Sequence, residues 1–153
     1  MQRIMVIGVS AGAGKSTFAA RLGKALDINV FHLDAFFWKQ GWVEASMEEF
    51  TQSQQEMIKN HSSWIVEGNY TATFDIRAEK ADTIIYLELP LRVCLYRVIK
   101  RWLTNLGNRR PDLGGECTER MEWAFLKFII TTYRARKKAM KNAFYLLPLI
   151  LAV

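Results

Sequence analysis

The chain has 153 residues and a mass of 17.7 kDa; 50% of it is hydrophobic, 24% charged, and its formal net charge is +6. Those values suit one globular domain with a full core and exclude a disordered chain. The positive balance points to an anionic ligand, a description that covers a nucleotide, a phosphorylated metabolite and a nucleic acid alike.

Residues 4–9 form an unbroken apolar run, expected to be a central parallel strand buried on both faces. Residues 15–26 carry Phe18, Ala19, Leu22 and Leu26 at helical spacing, and residues 29–33 read as a second short strand ending at Asp34. The stretch DAFFWKQGW is expected to be an aromatic loop with a Gly turn. Ser46 and Glu49 then have capping-box spacing, which predicts a helix to about residue 60, stapled from upstream by Trp42 or Val43. WIVEGNY reads as a third strand running into a Gly turn, and DTIIYLELP as a fourth, closed by Pro90.

Leu91, Cys94, Leu95, Val98, Ile99 and Trp102 mark the apolar stripe of the next helix. NLGNRRPDLGGECT follows as a Gly- and Arg-rich loop, giving a lid-like segment at about residues 104–118. A long helix is expected from about residue 119 to 142. Glu116, Glu119 and Glu122 lie near its start and Arg134, Arg136, Lys137, Lys138 and Lys141 near its end, as the helix dipole favours. The tail at residues 143–153 is apolar but about half the ~20 residues of a membrane span, and Pro148 interrupts it. It is expected to form a fifth strand from near Phe144; the alternative is an exposed tail or one buried by self-association.

Strand and helix alternate four times with crossover-length connections, which predicts a single α/β domain (1–153) with a doubly wound parallel sheet in three αβα layers. Cys94 and Cys117 form no CxxC or metal-like cluster, so reduced thiols are expected. The N-terminal residues do not read as a signal peptide, and the expected location is cytoplasmic.

A phosphate cradle needs a buried strand, inward-turned glycine N–H groups and a helix N-terminus. Here Gly12, Ala13, Gly14, Lys15, Ser16 and Thr17 stand between the first strand and the first helix, with Lys15 for the β and γ phosphates and Ser16 for Mg²⁺. The glycine expected five residues before Gly14 is replaced by Val9, with Gly8 adjacent; a bulge over Val9, Ser10 and Ala11 is therefore expected.

Asp34 and Glu67 end the second and third strands and should overhang the same crevice as Lys15. Either could hold Mg²⁺ directly or through water, and Asp34 is the candidate base for an acceptor hydroxyl. Arg109 and Arg110 have the character of lid cations, Arg97 and Arg101 could support them, and Arg77 could reach the acceptor. Phe36, Phe37, Trp38 and Trp42 either stack on a ligand or pack the core. His32, His61 and Glu88 read as structural.

With these residues assembled, the chain resembles the small adenylate-kinase-related P-loop proteins known as DNA topology modulation proteins. The resemblance runs through IGVSAGAGKSTFAARLG, FHLDAFFWKQGW, WIVEGNY, DIRAEKADTIIYLELP, LYRVIKRWL, GNRRPD and WAFLKFIITTYRARKKAM. It implies a nucleoside-monophosphate-kinase-like fold with the P-loop strand central, and ATP with Mg²⁺ as ligands. EGNY resembles the adenylate kinase D-G-x-P-R turn, with Glu67 for the Asp and no Arg, which counts against AMP as acceptor. RRP is similar to the Arg-Pro lid of shikimate-kinase-like enzymes, implying a phosphate contact for Arg110. The apolar tail departs from the family's charged end, leaves a sheet edge less protected and is a candidate surface for homo-oligomers.

Two functions follow. The leading one is an ATP-dependent kinase of a small acceptor: a nucleotide, a nucleoside or another metabolite. The other is a nucleotide-binding regulator that touches DNA or a protein, supported by the net charge and RARKKAMK, although no DNA-reading motif is present. DLGG matches D-x-x-G of GTPases, but no N-K-x-D motif accompanies it.

Overall fold

The computed structural model describes residues 1–105, 122–144 and 150–152. β1 (Arg3–Gly8) buries Ile4, Met5 and Val6 completely. Consecutive buried residues mean that both faces of the strand are covered, the condition a parallel sheet imposes. α1 (Lys15–Leu26) begins at Gly14 and stops at Asp27, whose backbone turns left-handed.

β2 (Val30–His32) ends before Asp34, which instead occupies the first turn of the short helix α2 (Leu33–Phe37). The segment expected to be an aromatic loop is thus a helical turn. It continues into an antiparallel hairpin, β3 (Trp38–Lys39) and β4 (Val43–Glu44), with Gly41 and Trp42 at positive φ in the turn. The rings themselves order this stretch, since Phe37 lies 5.1 Å from Trp38, 5.2 Å from Phe50 and 5.0 Å from Tyr70 between centroids.

α3 (Met47–Asn60) opens with both halves of its capping box: Glu49 N–H donates to Ser46 Oγ, and Ser46 N–H to Glu49 Oε2. The expected staple is absent at Val43, which is 58% exposed; the residue preceding the cap is Ala45, buried like Phe50. β5 (Trp64–Glu67) is shorter than the 64–70 run. A 3₁₀ turn at Thr71–Thr73 and the short helix α4 (Phe74–Ala78) follow it.

Neither element is legible in the sequence, because both are organised by an inward-facing Arg77. Its guanidinium is fully buried and donates to Gln54 Oε1, Thr73 Oγ1 and the Tyr70 carbonyl. β6 (Thr83–Leu87), α5 (Leu91–Asn105), α6 (Trp123–Phe144) and β7 (Ile150–Ala152) complete the described chain. The tail does form a fifth strand of the main sheet, starting at Ile150 because α6 runs on through Phe144. Glu88 pairs with Lys137.

All five main strands are parallel, in the order β2-β5-β1-β6-β7. From β1 the chain moves to one side of the sheet to make β2; from β6 it moves to the other side to make β7. Neighbouring strands β1 and β6 therefore send their connections apart, and a crevice opens beyond their carboxyl ends, where open α/β sheets bind ligands. Among the described residues no helix is long and apolar enough to cross a membrane.

Candidate active site

The loop from β1 to α1 fills that crevice. Val9 remains on the sheet ladder, its N–H donating to the Leu87 carbonyl at 3.0 Å. The backbone therefore leaves the sheet at Ser10, one residue later than the expected start of the bulge. Gly12 has φ +78°, and a Cβ there would run into the Cys94 carbonyl, so the loop is pressed against the first turn of α5. Lys15 folds back across Gly8: a Cβ on Gly8 would lie 3.1 Å from Lys15 Cγ and Cδ. Gly8 thus makes room for the lysine stem, which ends with Nζ donating to the Ser10 carbonyl at 3.2 Å.

Gly14 gives α1 no side-chain cap, and the first turn holds no acidic residue. The N–H groups of that turn lack intrahelical partners, and the helix dipole adds positive potential beside Lys15. An anion fits this end of α1 by both criteria.

Glu67 is buried, and its Oε2 accepts from Ser16 Oγ at 3.1 Å and hydrogen-bonds His32 Nδ1 at 2.9 Å. The parallel register sets His32 beside Glu67, so His32 belongs to the site. Asn69 lines the cleft as well, although the sequence reading does not single it out. Its side chain makes two hydrogen bonds to the Gly8 backbone and holds the end of β1 where β5 has stopped. A Gly-Asn pair directly after a buried strand was the available signal.

Asp34 Oδ1 accepts from Tyr70 Oη at 2.7 Å, and Phe37 packs between Trp38 and Tyr70, 5.1 and 5.0 Å from them between centroids. Burial, followed by the Asp34 charge, pushes the Tyr70 pKa far above the usual phenol value, so Tyr70 stays protonated and donates to the carboxylate.

Lys15, Ser16, Asp34 and Glu67 line one cleft of about 1750 Å³, together with Gly12, Ala13, Gly14 and Thr17. Arg97 and Arg101 line it too, and Arg97 Nη1 would be 3.1 Å from a Cβ on Gly14. Arg77 does not reach it: burial among Gln54, Thr73 and Tyr70 lowers its pKa to about 10 and gives it a structural task. Arg109, Arg110 and most of the lid-like segment lie outside the described residues, as does Cys117; Cys94 is a buried free thiol.

Among the described residues no group of three or more His, Cys, Asp or Glu is placed to hold a metal unaided. Mg²⁺ is compatible with such a site, because it takes one or two protein oxygens and fills its shell with phosphates and water. The Ser16 hydroxyl backed by the Glu67 carboxylate is a hard-oxygen arrangement of that kind.

Solved structures share this architecture. The YorR protein of Bacillus subtilis in complex with phosphorylated GDP aligns with a TM-score of 0.58 at 13% identity, over 98% of this chain and 84% of that one. Shikimate kinase from Bacteroides thetaiotaomicron gives 0.55 at 18% identity, over 90% and 80%. Deoxyadenosine kinase from M. mycoides with bound dATP gives 0.52 at 16% identity, over 100% and 90%. The chain shares the parallel-sheet α/β fold of these structures. No protein-family model and no curated protein matches the sequence.

Proposed function

We propose that the chain is an ATP-dependent kinase of a small molecule, a single P-loop kinase-like domain (1–153) with a lid-like segment at about 104–118. The acceptor is a nucleotide, a nucleoside or another hydroxyl-bearing metabolite. One observation carries this reading: the Ser16–Glu67 pair stands at the uncapped start of α1, beside Lys15, in the cleft that also holds Asp34.

Lys15 and the first-turn N–H groups of α1 bind the ATP phosphates and orient the γ-phosphoryl group. Asp34 hydrogen-bonds the acceptor hydroxyl and takes its proton as the oxygen attacks phosphorus; the bond to the ADP oxygen breaks and ADP leaves. Ser16, with Glu67 and Asp34 through water, would hold Mg²⁺, which supplies charge neutralisation on the phosphates. Arg109 and Arg110 are assigned to the transferring group, and Arg97 to the loop.

Two variants test the assignment. Lys15→Ala is expected to lose ATP binding by calorimetry. Asp34→Asn is expected to keep ATP binding while losing 10²- to 10⁴-fold of acceptor phosphorylation, as for removal of a general base, roughly. A Lys15→Ala protein that binds ATP like the parent would sink the phosphate-site assignment. ATP binding with no turnover on any acceptor would favour the regulator reading instead.

A further inference from the structure

Among the described residues, the two ends of the cleft differ in charge. Lys15, Arg21, Arg97, Arg101 and Arg136 line it, and all stand on α1, α5 or α6. The other end is built by α2, the β3–β4 hairpin and the segment after β5. Among the described residues its lining includes no Lys or Arg, and Asp34 and Glu44 add negative charge. Lys39, on the same hairpin, does not line the cleft and is paired with both carboxylate oxygens of Glu49.

The same end is walled by aromatic rings. Trp38 and Trp42 meet edge to face at 5.4 Å, and Trp38 continues through Phe37 and Tyr70 to Asp34. Trp42 also sits at φ +64°, a left-handed backbone that bulky residues rarely adopt and that Gly or Asn would fill without strain. A strained residue placed on a cleft wall is a mark of function.

We propose that the acceptor is an uncharged, ring-bearing alcohol of the nucleoside type. Its flat body lies against Trp38 and Trp42 while its hydroxyl reaches Asp34. A phosphate or carboxylate on the acceptor would meet Asp34 and Glu44 with no cation among the described residues at that end, which selects against it. The inference rests on the kinase reading and narrows it to one acceptor class.

The test is calorimetry on the full chain, saturated with a non-hydrolysable ATP analogue and titrated with matched probes: adenosine against AMP, guanosine against GMP, thymidine against dTMP. In at least one pair the nucleoside is expected to bind tenfold or more tightly than its monophosphate. Trp42→Gly, which relieves the backbone, is expected to weaken nucleoside binding about tenfold, as for losing an aromatic contact. Its melting temperature and its affinity for the ATP analogue should not fall.

Equal or tighter binding of the monophosphate in every pair overturns the proposal, as does failure of every nucleoside to bind. Unchanged nucleoside affinity in Trp42→Gly overturns it too. Failure to bind the ATP analogue would instead strike the kinase reading, so the two can be told apart.

Discussion

The Asn69 side chain takes the place of a strand for Gly8: Oδ1 accepts from the Gly8 N–H at 2.9 Å and Nδ2 donates to the Gly8 carbonyl at 2.8 Å. β5 has ended by this point, so without Asn69 the root of the phosphate loop would lose its edge partner. Asn69→Ala is expected to cost about 1–3 kcal/mol, the penalty of leaving part-buried backbone groups unpaired. Urea unfolding reads this directly. ATP affinity should fall with it, because the loop hinges on Gly8.

Glu67 joins Ser16 to His32, and Gln in its place keeps an acceptor for the serine hydroxyl while removing the charge. Glu67→Gln should therefore fold with nearly the parent's stability. Turnover should need more Mg²⁺, with a loss of roughly 10- to 100-fold typical of partners behind a metal ligand. A magnesium titration of the rate checks it; an unchanged magnesium requirement would remove Glu67 from the site.

Two glycines at nearly equal φ separate strain from collision. Gly41 has φ +75° and open space around it, so Gly41→Ala should cost only the left-handed penalty of about 1–2 kcal/mol. Gly12→Ala carries the same penalty and also drives a methyl group into the Cys94 carbonyl. It should be the more destabilising of the two, and it alone should weaken ATP binding. Equal effects in both assays would contradict the packing of the loop on α5.

Glu49 is held at a pKa of about 2 by its hydrogen bonds to Lys39 and to the backbone and hydroxyl of Ser46. Because the folded value lies below the ordinary glutamate value of 4.5, its contribution is fully present above that pH. It is lost progressively as pH falls towards 2. The protection of the amides at the start of α3, measured against their intrinsic exchange rates at each pH, should fall across that window in the parent. In Glu49→Gln that acid-dependent loss of protection should be much smaller.

Local pattern carried the sequence reading wherever a structure was made by neighbours. The apolar run of β1, the Gly-Lys-Ser step into α1 and the Ser46–Glu49 box each declare themselves within a few residues. The strand ends and the short elements did not. Asp34 was placed at a strand end although α2 has already begun there, because the aromatic packing that forms α2 comes from Phe50 and Tyr70. Arg77 reads as a cation that could reach the acceptor because its actual partners, Gln54 and the Tyr70 carbonyl, are seen only once α3 and α4 meet. Asn69 and Gly8 are 61 residues apart, and no periodicity connects them. The parts of the candidate site that were legible are those that a phosphate-binding helix start dictates by itself. The proposed acceptor wall is legible only in part: Phe37, Trp38 and Trp42 stand together in the sequence, but Tyr70 joins them from the segment after β5.

The strand order also has a consequence for biogenesis. β1 is the middle strand of its sheet, yet both of its neighbours, β5 and β6, are encoded far downstream. At ~5–20 residues per second, the ribosome needs roughly 3–11 s after finishing β1 to reach β5. During that interval a strand that is apolar from Ile4 to Ile7 has no sheet to join, which makes it a natural client for a chaperone. Slowed translation between residues 9 and 63 should lengthen that exposure and lower the yield of folded chain.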